Sequence, residues 1–434
     1  MLKRVLVFIL SAVLLPALAG CGEEERPTSV SRVLDNGLTV VASENRAARV
    51  VALQAWVTDG ALYEEPGEAG EAYLLANSVL VKASDGDVAE SLDALGGALS
   101  RYSSHDFALF SVIADARHFE EALDLFHEGL VDPVLDDDVL SRAREQLPAG
   151  TLLGDGPIDD AYRLATGGIL PEHPYGRDPE GTVSTTAGIT TEELVERHRR
   201  MYVGNGMVVV VVGAVDATRA VSAVEARFGS LDEGAPPEPA AGPPTWPREP
   251  VSTVRRSDVG RAFATFAFPG PGVGDPESVA MDVLTGILWR GGTSGLQRLL
   301  VDELELASSV SVGWYTRRQP SPVYIWVELE PGALETAESA ILGAVSRLAA
   351  DGPSPEEVED IVEAVRASML FNRETAEGQA HNIGYWTSIG HLGFHEEYMD
   401  ALDEVSAEDI RQLAERHLRA RSRSVGAIVP LEGR

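Results

Sequence analysis

The chain has 434 residues, 44% of them hydrophobic, with a formal net charge of -33. That charge excludes a nucleic-acid binder, which needs clustered Lys and Arg against phosphate, and an electrostatic grip on anionic lipid. The length exceeds one ordinary domain and predicts two of about 200 residues each. One cysteine, Cys21, excludes an internal disulfide.

The first stretch, MLKRVLVFILSAVLLPALAGC, has a basic start at Lys3 and Arg4, an apolar run, then small residues. It reads as a secretory signal over 1–20 rather than a membrane span. It ends in Leu18-Ala19-Gly20-Cys21, which resembles a bacterial lipoprotein box with Cys21 as the lipidated first residue. The expectation is a lipid-anchored protein of the bacterial cell envelope, facing the periplasm. Outer membrane is preferred, because Gly22 stands where an inner-membrane retention Asp would be. Residues 21–31 read as a polar tether, and nothing later reads as a span.

A folded N-terminal domain is expected over 32–231. Two strands flank the Asn36-Gly37 turn, and Val51, Leu53, Ala55 and Val57 alternate along a third. GEAGEAYLLANSVLV (Gly67 to Val81) reads as an amphipathic helix after a glycine-rich turn. Further helices are read in VAESLDALGG, HFEEALDLFHEGLVDP, DDDVLSRAREQL and TTEELVERHRRMY, the last with Thr190 or Thr191 as N-cap. DFALFSVIAD and GMVVVVVGAV are strands, the second a buried one. Residues 232–250, with six prolines from Pro236 to Pro247, form a stiff, extended linker. The C-terminal domain, 251–434, repeats the plan. Strands RAFATFAFPGP, ASSVSVGWYT and PVYIWVELEP alternate with helices PESVAMDVLTGILW, 334–350, 355–372 and 374–387. SAEDIRQLAERHLRA before SVGAIVP echoes TTEELVERHRRMY before VVVVVGAV. The expected fold is α+β: two similar domains, each a mostly antiparallel sheet with helices on one face.

LDNGLTVV, VTDGALYEEPGEAGEAYLL, LDALGGALSRYSSHDFALF, VDPVLDDDVLSRAREQL, PEHPYGRDPEGT and ILWRGGTSGLQRLLVDELELASSVSV occur in this order. Together they resemble the pitrilysin/insulinase family of zinc metallopeptidases, in its two-domain, mitochondrial-processing-peptidase-like form. The family's H-x-x-E-H helix binds zinc through two His on one face and uses the Glu as general base. The resemblance places the first His at Tyr73, the Glu at Ala76 and the second His at Asn77. The downstream Glu ligand falls at Ala149. Glu145 is the nearest carboxylate there, and Pro148 disrupts the helix. An Arg and a Tyr that hold the substrate carbonyl fall at Val301 and Ser308, with Arg298 nearby. Alanine has no donor atom, and a neutral amide is a poor zinc ligand. The expectation is a homologue with no catalytic residues and no zinc or other cofactor.

Two histidines outside this motif, His391 and His395, stand four apart and are a candidate metal pair. Gly393 between them weakens the helix the pairing needs, and no third ligand is visible. His105 with Asp106, and His173 with Tyr175, read as structural. His118 and His127 read as surface, and Trp289, Trp314, Tyr315 and Trp326 as packing. No G-x-S-x-G elbow and no phosphate loop are present. The resemblance implies a partner or scaffold subunit: its companion is an active zinc-bearing homologous chain, or a second copy of itself, and its ligands are peptides. The alternatives are an active peptidase with a relocated metal site and a stand-alone peptide- or protein-binding scaffold of the envelope.

Overall fold

The computed structural model describes residues 29–431 except 48, 84–85, 148–155 and 293–294, and the backbone only of 395 and 396. Cys21, Pro148 and Ala149 lie outside the described residues. In the first half the strands are β1 Ser29–Val33, β2 Thr39–Glu44, β3 Val50–Val57, β4 Lys82–Ala83, β5 Gly86–Asp87, β6 Ala98–Ser103, β7 Ala108–Asp115 and β8 Met207–Gly213. Its helices are α1 Glu71–Ser78, α2 Val88–Ala94, α3 Phe119–Val131, α4 Asp137–Glu145, α5 Pro157–Ile169, α6 Val183–Thr186, α7 Thr191–Met201 and α8 Ala217–Phe228. The second half holds β9 Val251–Ser257, β10 Ala262–Phe268, β11 Ala307–Trp314, β12 Val323–Leu329 and β13 Ser424–Pro430. Its helices are α9 Ser278–Arg290, α10 Leu334–Asp351, α11 Pro355–Phe371, α12 Ala376–Ile389, α13 Phe394–Asp403 and α14 Ala407–His417.

The larger sheets run β1-β2-β8-β3-β7-β6 and β11-β12-β10-β13-β9. Beyond β1, the two orders are the same: β2-β8-β3-β7-β6 matches β9-β13-β10-β12-β11. The one parallel pairing in each is also equivalent, β2 with β8 and β9 with β13. This is the duplication expected from the sequence. The helices before β8 and β13 are closed by matching capping boxes, Thr190 with Glu193 and Ser406 with Asp409. Chain pairing starts earlier than the tether reading has it: Ser29 to Ser31 already pair with Ser43 to Val41, so the tether's last residues are strand.

Each sheet is covered on its second face by a helix from the other half. Strand β3 shows why. Val51, Leu53, Ala55 and Val57 face the first half's own helices, while Ala52 and Trp56 face the second core. There α12 crosses β3 and β8. Reciprocally, α5 lies across β13, β10 and β9. Both crossings are close enough to need glycine. A Cβ on Gly384 would sit 2.5 Å from Cδ1 and Cε2 of Trp56, and one on Gly426 would sit 2.7 Å from the Leu164 Cβ. No element is read from the sequence at 157–169, so α5 is a finding of the structure.

Residues 232–250 contain no helix or strand, but they are fastened down. The Ala240 N–H donates to the Leu62 carbonyl at 2.9 Å, and the Gln319 side-chain amide donates to the Ala241 carbonyl at 2.8 Å. Trp246 packs against the first core. No helix among the described residues is long and apolar enough to cross a membrane.

Candidate functional site

The helix α1 is set by the segment before it. Gly70, its N-cap, has φ +93°, and a Cβ there would collide with the Glu180 carbonyl. The Glu64 carboxylate accepts the N–H groups of Gly70 and Ala72 at 3.1 and 3.0 Å, satisfying donors at the helix start. Beneath it, the fully buried Arg197 of α7 pairs with Asp59 at 2.6 Å and with Glu71 at 3.3 Å. Burial pushes Glu64 up to about 7, against the pull of Arg197, and does the same to Glu71. Leu74, Leu75 and Ala76 then enter the first core.

Tyr73, Ala76 and Asn77, where the resemblance puts two zinc ligands and the general base, lie on this helix, and their side chains are engaged within the protein. The Tyr73 hydroxyl donates to the carbonyl of Gln146, the C-cap of α4, at 3.3 Å. Burial, with the field of Glu180 behind it, raises the phenol above its ordinary range and keeps it protonated. Asn77 turns its amide back to the Tyr73 carbonyl at 2.9 Å. Ala76 is wholly buried and offers no ligand atom. Glu145 is exposed at the end of α4. A zinc ion does not fit this donor set: a neutral phenol, a methyl and a back-bonded amide supply no thiolate, imidazole or carboxylate. Among the described residues the Tyr73–Gln146 hydrogen bond ties α1, which also packs on α4, to the end of that helix.

Val301 lies in a π-helical turn, Arg298–Glu303, packed on the second core. Ser308 is exposed on β11 and donates to the Glu328 carbonyl at 3.4 Å. Arg298 is paired with Glu303 at 3.2 Å. None of the three presents a cation and a phenol together. The helical pairing of His391 and His395 is not formed. Gly393, at φ +90°, is the N-cap of α13, so His391 precedes the helix that carries His395. The His391 ring lies 3.3 Å from the Glu397 carboxylate, and the His395 side chain lies outside the described residues. Among the described residues no three His, Cys, Asp or Glu gather as a metal site. His105 bonds to the Arg177 carbonyl at 2.9 Å, and His173 to Gln319 at 2.9 Å; burial lowers both pKa values. Both rings are held by hydrogen bonds within the protein, and His105 also lines a cavity between the two halves.

What sequence reasoning missed is a cavity of about 360 Å³ between the two halves. Tyr102 from the end of β6, Tyr162 from α5, Tyr385 from α12 and Tyr315 with Arg317 from the exit of β11 line it, together with Glu180. The Tyr385 hydroxyl fixes this wall by donating to the Thr316 carbonyl at 2.6 Å. The Arg317 guanidinium lies 4.6 Å from the centre of the Tyr175 ring and 5.7 Å from that of Tyr315. Among the described residues it makes no ion pair, and its buried Nη1 has no acceptor. The signal was present in WYTRRQP, two arginines directly after a strand, but the aromatic residues there read as packing.

A duplicated, mostly antiparallel α+β unit with exchanged helices defines a metallopeptidase-like scaffold. The chain belongs to the insulinase/pitrilysin family: residues 39–149 match the profile described as insulinase (peptidase family M16), and 188–365 that described as the peptidase M16 inactive domain. It is 25% identical to an uncharacterized zinc protease of Mycobacterium leprae over 89% of both chains. Its fold is shared with a protease from Helicobacter pylori, at TM-score 0.85, 20% identity and coverage of 93% of this chain and 100% of that one. A chain of complex III2 from Candida albicans also shares it, at TM-score 0.80, 16% identity and coverage of 92% and 95%.

Proposed function

We propose that this chain is a non-catalytic member of its family, tethered to the bacterial envelope by a lipid on Cys21. There it serves as partner subunit to an active zinc-bearing homologue that cleaves peptides. The observation that carries the reading is the state of α1. Its anchoring through Glu64, Glu71 and Arg197 is intact, while Tyr73, Ala76 and Asn77 hold no ligand or base. A scaffold kept without its chemistry fits a role in shaping a shared chamber. That a chain of this fold occurs in complex III2 of another organism supports an assembly role. The net charge of -33 favours basic peptides by long-range steering. The free edge of β6 gives an extended peptide a strand to pair with.

The test is purification of the full chain from membranes through a C-terminal tag. Expected are a co-purifying chain that carries H-x-x-E-H, zinc in that chain alone, and peptide hydrolysis only by the pair. Stoichiometric zinc and turnover in the isolated chain would overturn the proposal in favour of a relocated site. A chain that stays alone, metal-free and inactive would make it a stand-alone scaffold. Cys21→Ser should move the protein from the membrane to the soluble fraction, and unchanged fractionation would remove the anchor from the proposal.

A further inference from the structure

The cavity between the halves contains a guanidinium, that of Arg317, to which no acceptor is hydrogen-bonded among the described residues. Arg317 has aromatic faces beside it, but ring faces accept no strong hydrogen bond from Nη1. Asp106, on the same wall, offsets part of the charge through its field but is not hydrogen-bonded to the guanidinium; its carboxyl accepts from the Tyr175 hydroxyl and the Arg318 backbone. A guanidinium whose donors lack an acceptor in a partly dry site is costly, and an arriving acceptor, preferably a charged one, offsets that cost. Guanidinium is also the group best matched to the two oxygens of a carboxylate.

We infer that this cavity is a carboxylate subsite, in which Arg317 binds the carboxylate of a peptide whose neighbouring apolar side chain lies among Tyr102, Tyr162, Tyr315 and Tyr385. Three features give the chemical class. The volume, about 360 Å³, is at the small end of ligand sites, so one residue enters rather than a folded segment. The walls are mostly rings, which suits an apolar side chain. The site also abuts the last residues of the free edge strand β6, where an extended chain could end. Glu180 on the same wall disfavours a second negative charge, so the ligand brings one carboxylate and is otherwise neutral or basic. Two sources share this chemistry, a peptide C-terminus and a Glu or Asp side chain. The inference rests on the proposed function only for the peptide nature of the ligand, and needs no partner chain.

The experiment uses the isolated full chain and three fluorescein-labelled basic nonapeptides in low salt, read by anisotropy. One ends in Phe with a free carboxylate, one in Phe-amide, and one in Phe-amide with Glu just before it. The free acid should bind roughly tenfold or more tighter than the plain amide, the value of a charge-assisted bond. Arg317→Gln should bring the acid down to the amide's level, and Arg317→Lys should keep part of the difference. If the Glu-containing amide matches the acid, a side chain is the source; if it matches the plain amide, the C-terminus is. Equal binding of acid and plain amide to the unmodified chain overturns the inference without needing a variant to fold, and so does no binding of any of the three. Neither result touches the partner role, which co-purification decides. A missing partner with acid preference retained would sink the function proposed above and leave this subsite standing.

Discussion

The crossing of α12 over β3 makes a quantitative prediction. Trp56 is fully buried there, its ring centre 4.7 Å from Phe107, 5.0 Å from His381 and 6.2 Å from Tyr385, and its indole N–H donates to Gln54 at 3.1 Å. In Gly384→Ala the new Cβ would lie 2.5 Å from two indole carbons, where ordinary contact is 3.4–4 Å. The indole nitrogen would lie closer still, so one element must shift by more than about 1 Å, and an indole boxed in on three sides cannot do so freely. Overpacking of this kind costs about 1–3 kcal/mol, and we expect the upper half of that range. Trp56→Ala alone should cost about 3–5 kcal/mol through the void it leaves. In that background the clash is gone, so Gly384→Ala should be neutral or stabilising by up to about 1 kcal/mol, as Ala for Gly is inside an exposed helix. The double-mutant cycle should then show a coupling of about 2–4 kcal/mol. Urea unfolding followed by circular dichroism measures it without depending on Trp56 fluorescence. A Gly384→Ala cost that persists unchanged in the Trp56→Ala background would refute the reasoning, as would no cost at all.

Arg197→Met leaves Asp59 and Glu71 buried without their cation and should cost about 3–5 kcal/mol in the same urea assay; a loss under about 1 kcal/mol would mean that water reaches the cluster. Glu64 and Glu71 are raised to about 7 in the fold from a reference of 4.5, so between these values the folded chain holds more protons than the unfolded one. Their contribution is therefore fully present below the unfolded pKa and is lost as pH rises through about 7. Relative to the parent, Glu64→Gln should flatten the fall in urea midpoint over that window, and an unchanged slope would show that Glu64 is not protonated there. Tyr73→Phe removes the link between α1 and α4 and should cost about 1 kcal/mol; hydrogen exchange in α4 should rise with it, and exchange as slow as the parent's would place the restraint elsewhere.

The local structure was largely legible in the sequence. Asn36-Gly37 gives a turn with Gly37 at φ +83°, Thr190 caps α7, and the alternation of Val51, Leu53, Ala55 and Val57 gives the core face of β3. Tyr73, Ala76 and Asn77 do share one helix, α1, as the resemblance implies. Partner identity across the fold was not legible. An amphipathic helix announces that one face will be buried, but not in which sheet, so the exchange of α5 and α12 could not be read. Helix α5 itself was not read at all, and Gly167 and Gly168, poor helix formers, stand in its last turn. The cavity failed for the same reason. Tyr102, Tyr162, Glu180, Arg317 and Tyr385 lie far apart in sequence, and their meeting depends on that exchange. His391 shows a simpler error: spacing of four implies a shared face only where helix is continuous, and Gly393 starts the helix between the two residues.

The reciprocal helices change what the proline-rich segment is for. Each half completes the other's interior, so neither could be expressed alone without exposing a sheet face such as that of Ala52, Trp56, Val210 and Val212. Residues 232–250 are therefore a seam rather than a hinge. A protease that nicks them should yield two polypeptides that remain one particle through gel filtration, and two half-genes expressed together should reassemble where either one alone aggregates. Opening and closing of any chamber built from this chain must then occur where it meets another molecule, because the two halves cannot swing apart.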